Sequence, residues 1–202
     1  MRQNRERNAS SGFGARHLSI LLLGLGVLAA CTTSNSGLTT VYYNVPGTTV
    51  DQINEQITLR GPQNGHAIGT TETRMTPRVK TRRDDGSCQI ENADVKLDLT
   101  VTLPQWSELS RADGRTRSAF ESLSGHVEWH EQQHVEISQD YAARIEKALA
   151  ELPAEETCRE LMAKARVMFK AMFEEHNAAQ RAFDASEREA IETRLRALGL
   201  IG

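Results

Sequence analysis

Two long stretches of helical periodicity, separated by only a few residues, constrain the fold of this 202-residue chain more than any other feature. The first spans residues 115–150 and the second about 156–184, and in both the apolar side chains recur at steps of three and four. The segment between them, residues 151–156, contains Pro153 and breaks the pattern. So short a break predicts an antiparallel helical hairpin, and a further helix is predicted at residues 187–200.

Histidines lie among the apolar side chains of both stripes, which predicts that they face the core. The first stripe consists of Phe120, Leu123, Val127, His130, His134, Ile137, Tyr141, Ile145 and Leu149. The second consists of Leu161, Ala165, Met168, Met172, His176, Ala179 and Phe183.

The residues before the helices alternate with the period of β-strands. Two strands are predicted at residues 71–82 and 88–104, joined by a turn at Asp85-Gly86, and a shorter strand is predicted at 41–45. In the longest of them, one face is apolar and the other is polar, which predicts a sheet with one wet face. The apolar face consists of Val95, Leu97, Leu99, Val101 and Leu103.

A short helix is predicted at residues 50–59, where Thr49 and Gln52 have the spacing of a capping box and Gly61-Pro62 ends the pattern. Together these elements predict an α+β fold. In it, a small antiparallel sheet packs against the long antiparallel helical hairpin.

The N-terminus has the features of an export signal. Four arginines precede an apolar run of 13 residues, which is too short to span a bilayer but has the length of a signal-peptide core. The run ends in Leu28-Ala29-Ala30-Cys31, which resembles the lipobox of bacterial lipoproteins. We therefore expect residues 1–30 to be a signal peptide and Cys31 to be acylated, with an ordinary secretory signal as the alternative.

Loss of residues 1–30 would leave 20 basic and 26 acidic residues, a net charge of −6, with no basic stripe, which disfavours nucleic-acid binding. Residues 31–40 are small and polar and predict a tether ahead of a single domain at 41–202. Acyl chains on Cys31 would anchor this domain to a membrane. Thr32, rather than Asp, follows the cysteine, which favours the outer membrane, facing the periplasm.

Two further cysteines, Cys88 and Cys158, remain in the exported part of the chain. An even pair in an oxidising compartment predicts a disulfide, and the alternative is two buried thiols. The bond would close a loop of about 70 residues and stabilise the fold by about 4 kcal/mol.

Residues 130–134 read H-E-x-x-H within the first long helix. His130 and His134 would lie about 40° apart around the helix axis and about 6 Å apart along it, so that both imidazoles can bind one zinc ion. Glu131 lies on a neighbouring face, where it can act as general base toward a water on the open side of the metal. The alternative is a pair of core histidines. His126 lies too far along the axis from His134 to share the same ion.

A third ligand has to come from another part of the chain. If the hairpin apex lies near Pro153, His130 lies 23 residues before it and His176 lies 23 residues after it. The two would then fall at the same level of an antiparallel pair, so His176 is the predicted third ligand. A core or surface role is the alternative for this histidine.

The chain resembles a family of bacterial predicted secreted zinc-dependent proteases that is catalogued as a domain of unknown function. The pieces that carry the resemblance occur in the family's order and cover nearly all of the exported chain. They are Tyr42-Tyr43-x-Val45, Gly61-Pro62, Cys88, Leu103-Pro104-x-Trp106, the H-E-x-x-H helix, Cys158, Gln180 and Phe183-Asp184-Ala185. The resemblance implies an exported metallopeptidase with a zincin-like domain and a disulfide between the two cysteines.

The chain departs from that family after Phe183-Asp184-Ala185. There the family pattern has T-x-H-G, whose histidine is a natural third ligand, whereas this chain has residues 187–190, Glu-Arg-Glu-Ala. Glu189 would replace that histidine as glutamate does in some zinc sites, or His176 would take its place, or the site is degenerate.

These patterns predict a lipid-anchored, periplasm-facing zinc metallopeptidase that acts on peptide or protein substrates. His130 and His134 would bind Zn²⁺ with His176 or Glu189, and Glu131 would be the catalytic base. The alternative is a non-catalytic envelope lipoprotein that uses the helical hairpin as a binding or scaffold surface, because the family's T-x-H-G is missing.

Overall fold

Three strands and two long helices make up most of residues 36–197, the part of the chain that the computed structural model describes. The expectations for the signal peptide and for Cys31 lie outside these residues. The elements are β1 (Ser36–Val45), α1 (Val50–Arg60), α2 (Pro62–Gly65), β2 (Thr70–Asp84), β3 (Ser87–Trp106), α3 (Gly114–Ala150) and α4 (Cys158–Ala197). The α+β class is thus confirmed. Within the described range, no helix has the length and apolar character needed to cross a bilayer.

The sheet is mixed, with strand order β1-β3-β2, and not wholly antiparallel as expected. β2 and β3 form the predicted antiparallel hairpin, whose turn residues Asp85 and Gly86 both have positive φ, at 43° and 79°. β1 instead runs parallel to β3, from Ser36 beside Leu97 onward. Alternation of side chains carries no information on strand direction, and the connection through α1 and β2 brings the chain back as a parallel crossover.

β1 is also longer than predicted, because residues 36–40, expected to belong to the tether, are its first half. Apart from Leu38, these residues are small or polar, and their strand conformation comes from pairing with the long central strand β3. Pairing of the backbone with a neighbour can extend a strand where the side chains give no signal.

The core lies between the sheet and α3. The predicted apolar face of β3 is buried, with Leu99 only 1% exposed, and α3 contributes Leu123, Val135 and Ile145 to the same cluster. α1 covers another part of it with Ile53 and Ile57, and begins after Thr49, whose side chain accepts from the main-chain N–H of Gln52 as the capping pattern predicts.

The predicted disulfide between Cys88 and Cys158 is present, with the Cα atoms 5.1 Å apart. Beside it, the main chains of Cys88 and Glu155 exchange two hydrogen bonds, of 2.7 and 2.9 Å. The loop between the long helices is therefore fastened to the start of β3, and this fixes where α4 begins.

α4 is one continuous helix, whereas a break was predicted near residue 184 followed by a separate helix at 187–200. Residues 184–187, Asp-Ala-Ser-Glu, contain neither Pro nor Gly, so nothing in the chain ends the helix there. α3 and α4 pack as the expected antiparallel hairpin, as shown by contacts of His134 with Gln180 and of Arg144 with Glu175.

Candidate metal centre

Three side chains on the two long helices converge on one point. The Nε2 atoms of His130 and His134 on α3 lie 3.1 Å apart. The Oδ1 atom of Asp184 on α4 lies 3.3 Å from the first and 2.9 Å from the second. Both imidazoles are mostly buried, whereas half of the Asp184 side chain is exposed, so the group opens to solvent on one side.

The electrostatics of this group suit a cation. Burial, and then the neighbouring His134, lower the pKa of His130, which favours the neutral imidazole with a free lone pair. Two nitrogen lone pairs and a carboxylate oxygen in contact repel one another unless a proton or a metal ion lies between them. The described residues therefore include one group, His130, His134 and Asp184, that could hold a metal ion.

The orientation of His134 is set by Gln180. The amide Oε1 of Gln180 accepts from Nδ1–H of His134 at 2.5 Å, which leaves Nε2 of the ring as the lone-pair nitrogen facing the centre. The amide nitrogen of Gln180 donates to the main-chain oxygen of His134 at 3.1 Å. Metal-binding histidines commonly donate their second ring nitrogen in this way.

His176, the expected third ligand, is not part of the group. It is 2% exposed and its Nε2 lies 2.9 Å from the amide nitrogen of Gln180 and 3.1 Å from Oγ of Ser138. Its Nδ1 lies 3.2 Å from Oδ1 of Asn177. Both ring nitrogens have protein partners, and His176 supports Gln180 from behind. Glu189 is exposed and lies in a different cavity, beside Ser122.

The midpoint of the helix pairing explains why Asp184 takes the place expected for His176. The side-chain pairs across α3 and α4 are centred on residue 157 and not on Pro153. The partner of His130 therefore lies eight residues, or about two helical turns, further along α4 than expected. The observed pairs are His130 with Asp184, His134 with Gln180, and Ser138 with His176.

The side chain of Glu131 is more buried than predicted, and the side chains of His130 and His134 are less buried. The buried face of α3 passes through Glu131, Val135 and Ser138, whereas His130 and His134 lie at its edge and line the cavity. The buried face of this helix was predicted from its apolar side chains, but the sheet packs against the neighbouring face of α3. This packing buries the side chain of Glu131.

The Glu131 carboxylate is held from β2. Oγ1 of Thr71 donates to Oε2 of Glu131 at 2.8 Å. Burial raises the pKa of Glu131, and the hydrogen bond from Thr71 opposes that rise. Gly69 packs so closely that a Cβ there would lie 2.9 Å from Oε1 of Glu131 and 2.6 Å from Cγ1 of Val127, so any other residue here would displace one of these side chains.

The centre forms one wall of a cavity of about 500 Å³ that also contains the glutamate, with Thr70, Thr71 and Thr73 of β2 opposite. Phe183 packs on the two imidazoles, with its ring centroid 4.8 Å from that of His130 and 5.1 Å from that of His134. The aromatic ring limits how far either histidine can rotate.

Asp184 and Gln180 were not assigned a role from the sequence, although both belong to the pieces that carry the family resemblance. A signal for them was present. Residues 176, 180 and 184 are spaced by four, and therefore lie on one face of α4, the face that also carries His176.

The chain matches the family described as "Bacterial protein of unknown function (DUF922)" over residues 40–190, a range that contains the whole centre. No curated protein and no solved structure matches it.

Proposed function

Because this chain belongs to the bacterial family DUF922, whose description assigns no function, we propose one from its own residues: it is a zinc metallopeptidase that hydrolyses peptide bonds. The observation that carries the proposal is the convergence of two imidazole nitrogens and a carboxylate oxygen beside a buried glutamate. One helix supplies His130, Glu131 and His134, and a second supplies Asp184.

The donor set fits zinc. Two histidines and one carboxylate are a known combination for catalytic zinc, with the fourth position left to water or substrate. At a Zn–N distance of about 2.0–2.1 Å, the ligand atoms of a tetrahedral site lie roughly 3.3 Å apart. The three separations here are 3.1, 3.3 and 2.9 Å. His130, His134 and Asp184 would hold the ion.

Zinc bound there would polarise a substrate carbonyl and lower the pKa of a bound water. Glu131 has the position of the general base, since it lines the same cavity as the two histidines and the Thr71 hydroxyl fixes one of its oxygens. It accepts a proton from the attacking water and transfers it to the amine nitrogen as the C–N bond breaks. A raised pKa makes its carboxylate a stronger base than an exposed glutamate.

The proposed location is the cell envelope. Removal of residues 1–30 and acylation of Cys31 would tether the domain to the outer membrane on its periplasmic side, where the substrates are peptides or proteins. The disulfide between Cys88 and Cys158 supports an oxidising compartment. Mass spectrometry of the protein isolated from a bacterial envelope should show the lipid on Cys31.

The deciding experiment on catalysis replaces Glu131 by glutamine. Glu131→Gln keeps the shape of the side chain but cannot take up a proton, so hydrolysis of an unfolded protein substrate should fall by roughly 10²–10⁴-fold with zinc content unchanged. Glu128→Gln on the exposed face of the same helix is the matched control. If the wild-type protein shows no chelator-sensitive hydrolysis of unfolded proteins or peptide libraries, a non-catalytic scaffold role replaces the proposal.

A second experiment identifies the third ligand. Elemental analysis should find one zinc per chain, and Asp184→Ala should weaken zinc binding strongly. Glu189→Ala is the control, because its carboxylate is exposed and lies in another cavity. Loss of zinc from Glu189→Ala with retention in Asp184→Ala would contradict the assignment.

A further inference from the structure

A second cavity, of about 450 Å³, adjoins the metal centre on the side of α1. Its walls come from α1, the end of α2, the segment before β2, the first half of α3, and the last turns of α4. The larger apolar side chains that line it are Ile57, Ile68, Leu123, Val127, Ile191 and Leu195.

The two cavities meet at the centre itself. Gly69, His130 and Glu131 line both of them, so a chain lying across the centre has direct access to the apolar cavity. With no side chain, Gly69 leaves room beside the Glu131 carboxylate, where a Cβ would be too close. A cavity that opens at the proposed point of bond cleavage can select the residue next to the bond.

We propose that this cavity binds one bulky apolar side chain of the substrate, so that the protein cleaves peptide bonds beside residues such as leucine or phenylalanine. The inference rests on the proposed peptidase function. The apolar walls favour burial of hydrocarbon, and the size is within the range of ligand cavities. A cationic side chain would lose its hydration there, and Glu131, the only carboxylate among the described residues of the wall, already bonds to Thr71.

One polar atom in the wall of this cavity is also suited to a bound peptide substrate. Nε2 of His126 is buried and has no hydrogen-bond partner among residues 36–197. A buried polar atom without a partner is destabilising, and a main-chain group of a bound peptide could satisfy it. Arg194, at the same cavity, has its guanidinium near Oγ of Ser122.

The test fills the cavity from α4. Ile191→Trp and Leu195→Trp, on successive turns, each place an indole where the substrate side chain would lie. Arg188→Trp, at an exposed position of the same helix outside both cavities, is the matched control. Circular dichroism identifies the variants that are folded, and zinc content identifies those that bind the metal. Only variants that meet both criteria are compared.

Two measurements use blocked peptides that differ at one position, with phenylalanine, leucine or alanine. The first is kcat/KM, and the second is calorimetric affinity for the zinc-loaded Glu131→Gln protein. Phenylalanine and leucine peptides should exceed the alanine peptide by roughly 10- to 100-fold in both. Either filled variant should reduce that ratio at least tenfold, and Arg188→Trp should not.

The outcomes separate the two proposals. Hydrolysis with no preference for apolar residues, or with a preference that both filled variants leave unchanged, overturns the cavity assignment and leaves the peptidase function standing. Apolar binding that the filled variants remove, without any hydrolysis, supports the cavity and overturns the peptidase. Peptides that neither bind nor react overturn both.

Discussion

Gln180 should control how tightly the metal is held, although it does not belong to the metal-binding group. Its side chain joins Nδ1 of His134, the main-chain oxygen of that residue, Oγ of Ser138 and Nε2 of His176, all at 2.5–3.1 Å. Gln180→Met keeps the length of the side chain and removes all of these bonds. Nδ1 of His134 then loses its hydrogen-bond partner, whereas Nε2 of His176 keeps its contact with Oγ of Ser138.

The size of the effect on stability follows from Nδ1 of His134. A buried polar group that loses its partner costs about 1–3 kcal/mol, so Gln180→Met should lower the free energy of unfolding by roughly that amount. Zinc affinity should fall about 10- to 100-fold, because the His134 ring is no longer held with its Nε2 lone pair toward the metal. Urea unfolding of the zinc-free protein and competition with a chromophoric chelator measure the two quantities separately.

Gln180→Glu is the matched variant. A carboxylate still accepts from Nδ1–H of His134 but cannot donate to His176, so this protein should lose stability and keep most of its zinc affinity. If Gln180→Met binds zinc as tightly as the wild-type protein, then orientation of His134 by Gln180 is not what prepares the centre, and the reasoning fails.

Three further predictions concern stability. Replacing both Cys88 and Cys158 by alanine should lower the free energy of unfolding by about 4 kcal/mol, since the bond closes a loop of 70 residues, and a loss below about 1 kcal/mol in urea unfolding would contradict this. Burial raises the pKa of Glu131, so the charged form of this side chain opposes folding. Glu131→Gln should therefore raise the melting temperature of the zinc-free protein at neutral pH. This gain should disappear in acid, where the wild-type carboxyl is protonated in both the folded and the unfolded state. Burial also raises the pKa of Tyr43 to about 12, so the tyrosine of the unfolded chain ionises first and the wild-type protein should lose stability above pH 10. The loss should be less than about 1.4 kcal/mol per pH unit, because the ring is partly exposed. Tyr43→Phe should lack that loss in a pH series of thermal melts.

Local patterns predicted the local structure well. The alternation in β3, the Asp85-Gly86 turn and the Thr49 cap are each decided by a few neighbouring residues, and the structure confirms all three. The disulfide was also predicted, because the expected export and an even number of cysteines leave one pairing once the expected lipidation site Cys31 is set apart.

Relations between distant segments were predicted less well. The direction of β1 depends on the route of its connection, and the pairing of α3 with α4 depends on how far the two helices are displaced along each other. The alternation of side chains along a strand and the period of a helix do not specify the direction of a strand or the pairing of two helices. An error of four residues in the midpoint of the pairing moved the expected partner of His130 by two helical turns, from Asp184 to His176, although both lie on the correct face of α4.

The geometry of the metal centre depends on the number of residues between Cys158 and Asp184 as much as on the identity of those residues. Cys158, fastened to β3, lies 18 residues before His176, which is five turns of an ideal helix, and Gln180 and Asp184 follow at intervals of four. One residue inserted between Cys158 and His176 would rotate everything after it by about 100° and turn Asp184 away from the histidines. Insertions and deletions in related chains should therefore collect at sites such as the Asp85-Gly86 turn, and leave the segment 158–184 constant in length.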